Sequence, residues 1–98
     1  MMKTVNEIKQ TLEFHEKEFK EKYEVKTIGI FGSYLKNEQT QTSDIDVLVE
    51  FEKPIGVLEF VGLKNHLSDL LDMQVDLVMK KALKPAIGRR ILSEVVYV

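Results

Sequence analysis

Two aspartates, Asp44 and Asp46, open an apolar run of the sequence, and ten residues separate them from the pair Gly32-Ser33. Because successive side chains on an extended chain point to opposite sides, both carboxylates are expected on one face of a strand. Two carboxylates this close repel each other, so such a pair usually shares a proton or is neutralised by a cation. Mg2+ takes oxygen ligands and is commonly held by one or two carboxylates plus substrate phosphates. The spacing therefore predicts a divalent-metal site.

Gly32 and Ser33 end a strand-like apolar run and could hold a phosphate. Glycine lets the backbone approach a ligand closely and adopt a positive φ. Ser33 offers a hydroxyl and a backbone N–H where a short helix over 33–38 is predicted to begin, and helix N-termini favour anions. A Gly-Ser pair alone is an ordinary turn, and Asp-x-Asp alone can be a solvated strand entry. Together, between two strands, they predict a phosphate-holding turn beside a metal site.

A third carboxylate, Asp76, interrupts an otherwise apolar segment that is predicted to be a strand, Val75–Met79. Burying an unpaired carboxylate is costly, so Asp76 needs a partner. If this strand lies beside the second strand, Asp76 projects near Asp44 and Asp46, and one cation could satisfy all three. The alternative is that the strand lies at a sheet margin and Asp76 faces water.

Hydrophobic periodicity divides the rest of the chain into helices and strands. The N-terminal helix has capping-box spacing at Thr4 and Glu7. The middle helix is expected to bury a wide stripe that includes Leu58 and Val61. The apolar tail at 95–98 is expected to pack on the sheet or against another chain. The predicted elements are helix 4–23, strand 25–31, strand 45–51, helix 57–71, strand 75–79 and helix 83–94.

The composition is that of one globular domain spanning residues 1–98. Apolar residues make up 44% of the chain and charged residues 31%, which indicates a soluble protein. There is no cysteine, which excludes disulfides and thiolate chemistry. Since the sequence shows no signal-peptide core and no apolar run of membrane-spanning length, we expect a cytoplasmic protein without a membrane partner.

The formal net charge of -2 gives no overall positive field, so nucleic acid is not the expected partner. Five basic residues near the C-terminus form the one candidate patch. We interpret them either as the solvated flank of a helix or as a positive charge that binds a triphosphate or an acidic partner. The patch comprises Lys80, Lys81, Lys84, Arg89 and Arg90.

The Gly-Ser pair, the ten-residue gap and Asp-x-Asp resemble the signature of the polymerase-β-like nucleotidyltransferases. The short length is similar to that of the minimal nucleotidyltransferases (MNT) found beside HEPN-domain proteins in prokaryotic toxin-antitoxin pairs. The likeness runs from Ile28 to Val98. It implies an α/β (α+β) fold of the polymerase-β-like type, with a small mixed sheet of about three to four strands flanked by helices.

The resemblance also implies an activity, the Mg2+-dependent transfer of AMP from ATP to a tyrosine hydroxyl of a HEPN RNase toxin. The chain would then be the antitoxin of a type VII-like pair. In that family the matching positions are catalytic and metal-binding at Asp44, Asp46 and Asp76, and nucleotide-binding at Gly32 and Ser33.

One departure follows the Gly-Ser pair, where relatives often carry Ala, Gly and Arg and this chain has Tyr34, Leu35, Lys36 and Asn37. Lysine is a point charge and not a bidentate fork, so weaker phosphate contacts are expected from this turn. Two other functions fit the residues. The chain could be a binding antitoxin that neutralises its toxin by occlusion, or a nucleotidyltransferase acting on a small molecule.

Overall fold

The structure is a computed structural model that describes residues 4–32 and 44–98. Ser33, Lys36, the predicted short helix at 33–38 and the predicted loop at 39–43 lie outside the described residues. The elements in chain order are α1 (Val5–Phe14), α2 (Glu16–Tyr23), β1 (Val25–Phe31), β2 (Ile45–Phe51), α3 (Val57–Leu71), β3 (Val75–Met79), a 3-10 turn (Lys80–Ala82), α4 (Pro85–Glu94) and β4 (Val96–Tyr97).

The four described strands form one mixed sheet in the order β3-β2-β1-β4. β1 pairs antiparallel with both β2 and β4, whereas β2 and β3 are parallel. The parallel pair is joined through α3, as a parallel connection requires. This arrangement confirms the expected small mixed sheet with flanking helices. The C-terminal tail packs on the sheet edge, where the Val98 N–H donates to the Ile28 carbonyl over 2.9 Å.

Alternation along β2 sends four of its five apolar side chains to the helix-covered face of the sheet, and the fifth, Leu48, is buried on the opposite face. Ile45, Val47 and Val49 are fully buried there, so the residues between them point away from that core. The helices contribute Ile8, Leu12, Phe19, Leu63, Leu67 and Leu71 to the same core. Each such side chain contributes about 1.5–3 kcal/mol when fully buried. The core therefore fixes the orientation of β2, and with it the face on which Asp46 lies.

The N-terminal helix begins as predicted but does not continue as one helix. The Thr4 hydroxyl accepts a hydrogen bond from the Glu7 N–H over 3.1 Å, which confirms the cap. At His15 the backbone leaves helical geometry, with φ -99° and ψ 7°, and α2 starts afresh. Buried Leu12 and Phe19 stand on either side of this break. Because the buried stripe crosses the break in phase, periodicity alone predicted a continuous helix.

Two other expectations about the helices were wrong in detail. Leu58 is 87% exposed and Val61 is 43% exposed, so neither belongs to the core stripe of α3. At 100° per residue, Leu58 lies about 140° around the helix from buried Leu63. The elements that cover Leu63 therefore do not reach Leu58. The last helix begins at Pro85 and not at 83, because the 3-10 turn precedes it. No helix in the described ranges is long and apolar enough to cross a bilayer.

Candidate active site

The parallel pairing of β2 and β3 places Asp46 directly opposite Asp76. The flanking positions Ile45 and Val75 are buried in the core, so by alternation the two aspartates project from the other face of the sheet. β3 is an edge strand and Asp76 is exposed. Asp76 therefore lies at a sheet margin and also beside Asp46, so the two predicted placements are compatible.

Gly32 completes the contact from the other side of β2. Phe31 is the register partner of Asp46, and Gly32 follows with φ +85°, a conformation that favours glycine. A Cβ at this position would lie 3.0 Å from the Asp46 Cγ and closer still to the Oδ2 atom. Only a residue without a side chain leaves room for the Asp46 carboxylate. The bend after β1 is thus in contact with Asp46.

Asp44 lies just before β2 and is exposed. It is two residues from Asp46, and its negative charge is one of the influences on that carboxyl. The structure therefore places four of the five predicted site residues, Gly32, Asp44, Asp46 and Asp76, at the same end of the sheet. The fifth, Ser33, lies outside the described residues.

The electrostatics of this site centre on Asp46. Partial burial, the charge of Asp76, a hydrogen bond with Asp76 and the charge of Asp44 together raise the pKa of Asp46 to about 6. Burial is the largest cause, since it disfavours the charged form of a carboxyl. A positive charge placed between the two carboxylates would reverse the penalty that their mutual repulsion imposes.

Whether these residues suit a divalent cation can be judged from the donor set and the space around it. In the described ranges, no three Asp, Glu or His side chains are already gathered closely enough to form a complete metal site. Asp46 and Asp76 nevertheless interact directly, and the Asp46 carboxylate is only partly buried where it lies against Gly32. All the donors are carboxylate oxygens, which hard cations prefer. The residues present therefore fit a divalent cation, with ligands still to be supplied by substrate.

The basic patch predicted near the C-terminus begins at the opposite end of β3. Lys80 follows Asp76 by four residues, or about 13 Å of extended chain. Its ammonium pairs with Glu50 over 3.7 Å, and Arg90 pairs with Glu94 over 3.6 Å. Part of the patch is thus engaged in ion pairs. Its first two residues, Lys80 and Lys81, lie at the end of β3 that is remote from the acidic pair.

The family assignment follows from sequence comparison. Residues 12–98 match the family described as the nucleotidyltransferase domain. This chain therefore belongs to the nucleotidyltransferase domain family and is an enzyme of that class.

Within that family the similarity covers nearly the whole chain. It is 46% identical over 97 residues to protein adenylyltransferase MntA of Thermococcus cleftensis, covering 99% of this chain and 98% of that protein. It is 54% identical over 98 residues to a Methanocaldococcus jannaschii protein provisionally named a protein adenylyltransferase, covering 99% and 100%. The solved complex of an MNT antitoxin with the tri-AMPylated HEPN toxin of Shewanella oneidensis matches with a TM-score of 0.67 at 20% identity, covering 92% of this chain and 70% of that one. The last likeness shows a shared fold.

Proposed function

We propose that this chain transfers AMP from ATP to a tyrosine hydroxyl of a HEPN-domain RNase toxin and so acts as the antitoxin of a toxin-antitoxin pair. The observation that carries the proposal is the Asp46 carboxylate, set between the Gly32 bend and Asp76 at the junction of three strands. Full-length similarity to protein adenylyltransferases supports the reaction, and the fold shared with an MNT antitoxin supports the partner. The cytoplasm, where ATP is found, is the proposed location.

Asp44, Asp46 and Asp76 would hold Mg2+. When bound, the ion neutralises charge that develops on the transferring phosphate and aligns the attacking oxygen. Gly32, with Ser33 after it, would hold the β- and γ-phosphates, since a turn with positive φ can direct backbone N–H groups toward an anion.

The chemical step is a substitution at the α-phosphorus of ATP. The acceptor hydroxyl oxygen forms a bond to that phosphorus, the bond to the β-phosphate oxygen breaks, and pyrophosphate leaves. The proton of the hydroxyl passes to a carboxylate within hydrogen-bond reach. Asp76 is suited to this role because it is exposed while it remains next to Asp46.

The exposure of Asp76 also supports a protein as the acceptor. An acidic residue on an edge strand can be approached by a side chain that stands on another protein. An enzyme that modifies a small molecule more often encloses it in a concave pocket that buries most of its surface.

The test is to incubate this chain with Mg2+, ATP and the HEPN-domain toxin proposed as its partner. We expect a mass gain of one AMP on a tyrosine of the partner, with label transferred from α-labelled ATP and not from γ-labelled ATP. Asp46→Asn should abolish the transfer, and Glu50→Gln, on the same strand, should retain it. Full neutralisation of the toxin by Asp46→Asn without AMP transfer would contradict the proposal and support occlusion.

A further inference from the structure

A cavity lies at the end of the β2–β3 pair that is remote from Asp46 and Asp76. It is a cavity of about 360 Å3, within the range of about 300–1,000 Å3 typical of small-molecule sites. Apolar side chains form much of its lining, including Val49, Phe51 and Met79. Since alternation places these three on the helix-covered face, the cavity continues the hydrophobic core to the protein surface.

This cavity is separate from the candidate active site. Phe51 follows Asp46 by five residues, and Met79 follows Asp76 by three. At roughly 3.3 Å per residue, the cavity begins about 10–16 Å along the strands from the acidic pair. A molecule bound in it would leave Asp46 and Asp76 uncovered.

The charges around the cavity are mainly positive. Lys53, Lys80 and Lys81 line it, together with one carboxylate, Glu50. Glu50 is held by Lys80 over 3.7 Å and accepts a hydrogen bond from the Thr27 hydroxyl over 3.4 Å. Its charge is therefore already compensated within the protein.

Of the two other lysines, Lys81 leaves a positive charge at the cavity. Lys53 pairs with Glu24 over 3.5 Å, and that carboxylate is not part of the lining. Lys81 forms no salt bridge with any described residue. An apolar recess bordered by an uncompensated ammonium selects a ligand that has both an apolar body and a negative group.

We propose that this cavity is a binding site for a small amphiphilic anion, a molecule with a compact apolar body and one carboxylate, sulfonate or phosphate group. The apolar body lies against Val49, Phe51 and Met79, and the anionic group meets Lys81. The site is independent of nucleotidyl transfer, because it lies at the opposite end of the strands.

The test is a fluorescence titration of the full chain with anilinonaphthalene sulfonate, an aromatic anion that emits strongly in apolar surroundings. We expect saturable binding of one molecule per chain. Lys81→Glu should weaken it by about tenfold or more, since it replaces a charge-assisted contact with repulsion. The matched control is Lys84→Glu, an exposed lysine three residues further on that is outside the lining. It should change the affinity by less than about twofold, the scale of an exposed charge.

A second pair of variants tests the cavity itself. Ala82 lines it and Ala86 does not, and both are exposed, so a larger side chain at either position leaves the core intact. Ala82→Trp should block the probe, and Ala86→Trp and Asp46→Asn should bind it like the unmodified chain. Unsaturable binding, equal losses in Lys81→Glu and Lys84→Glu, or normal binding by Ala82→Trp would each overturn the proposal.

Discussion

Two charged residues of β2, Asp46 and Glu50, meet opposite kinds of neighbour. Asp46 faces Asp76, a pair of like charges. Glu50, four residues further along β2, pairs with Lys80 and also accepts a hydrogen bond from Thr27. Opposite charges across a sheet contribute roughly 0.2–1 kcal/mol, whereas like charges directly opposite are destabilising.

The contrast shows where this fold gives up stability. At one end of β2 a carboxylate is paired with a lysine of the 3-10 turn that follows β3, and at the other end two carboxylates repel each other. Charge and burial together raise the pKa of Asp46 to about 6, and such perturbed carboxyls cluster at functional sites. The acidic end therefore carries an electrostatic cost that the Glu50–Lys80 end does not, and Glu50 serves as a control for removing a carboxylate from the same strand.

The largest effect is expected from Asp46→Asn in the AMP-transfer reaction. Loss of this carboxylate should lower the rate by about a hundredfold or more, because several kcal/mol of transition-state stabilisation depend on the charge held there. Initial rates of label transfer from α-labelled ATP measure it. The comparison between the two ends fails if Glu50→Gln lowers the rate as much.

Gly32→Ala is expected to act next most strongly, on folding as well as on activity. The positive φ of Gly32 should cost alanine about 1–2 kcal/mol, and the added Cβ would push against the Asp46 carboxylate. Denaturant unfolding measures the loss. Gly62→Ala on α3 is the matched control, since its Cβ would meet only the Tyr23 ring, at 3.8 Å. Gly62→Ala should be neutral or stabilising by up to about 1 kcal/mol, and an equal loss in both variants would contradict the strain at Gly32.

A smaller, pH-dependent gain in stability is expected from Asp76→Asn. Because the pKa of Asp46 is raised from 3.8 to about 6 in the folded state, protonation of Asp46 stabilises the folded state. This stabilisation is fully present below about pH 4 and is lost as the pH rises through about 6. Removing the charge of Asp76 should restore part of that loss, on the order of 1 kcal/mol at pH 8 after allowance for solvent screening. Unfolding curves at pH 4 and pH 8 should show no difference at the lower pH. A gain that is the same at both would rule out this repulsion.

The smallest effect is expected at the compensated end. Glu50→Gln should destabilise the chain by less than about 1 kcal/mol, since it removes one partly exposed ion pair. Its effect on urea unfolding should shrink as salt is added, because salt screens such a pair. A gain in stability would mean that Glu50 is as strained as Asp46.

Several elements could be read from the sequence because local pattern and burial agree there. The bounds of β1, β2, β3 and α3 match the predicted ranges. In β2, Ile45, Val47, Val49 and Phe51 share one face and only Leu48 breaks the alternation, so one register buries the hydrophobic face and fixes the side on which Asp46 lies.

Other features depend on neighbours that a sequence pattern does not name. Helical periodicity does not show that the other elements leave Leu58 exposed, or that the backbone leaves helical geometry at His15. The close fit of Gly32 against Asp46 arises from strand pairing, and so does the meeting of Glu50 with Lys80. The cavity proposed to bind an amphiphilic anion was not predicted from the sequence for the same reason, since its lining comes from separate segments.

The most direct test of the acidic end is calorimetric titration of Mg2+ and ATP into three proteins, the unmodified chain, Asp46→Asn and Glu50→Gln. The account predicts equal Mg2+-dependent ATP binding by the unmodified chain and Glu50→Gln, and binding weaker by about tenfold or more in Asp46→Asn. Asp46→Asn binding ATP as tightly as the unmodified chain, with the same dependence on Mg2+, would contradict it.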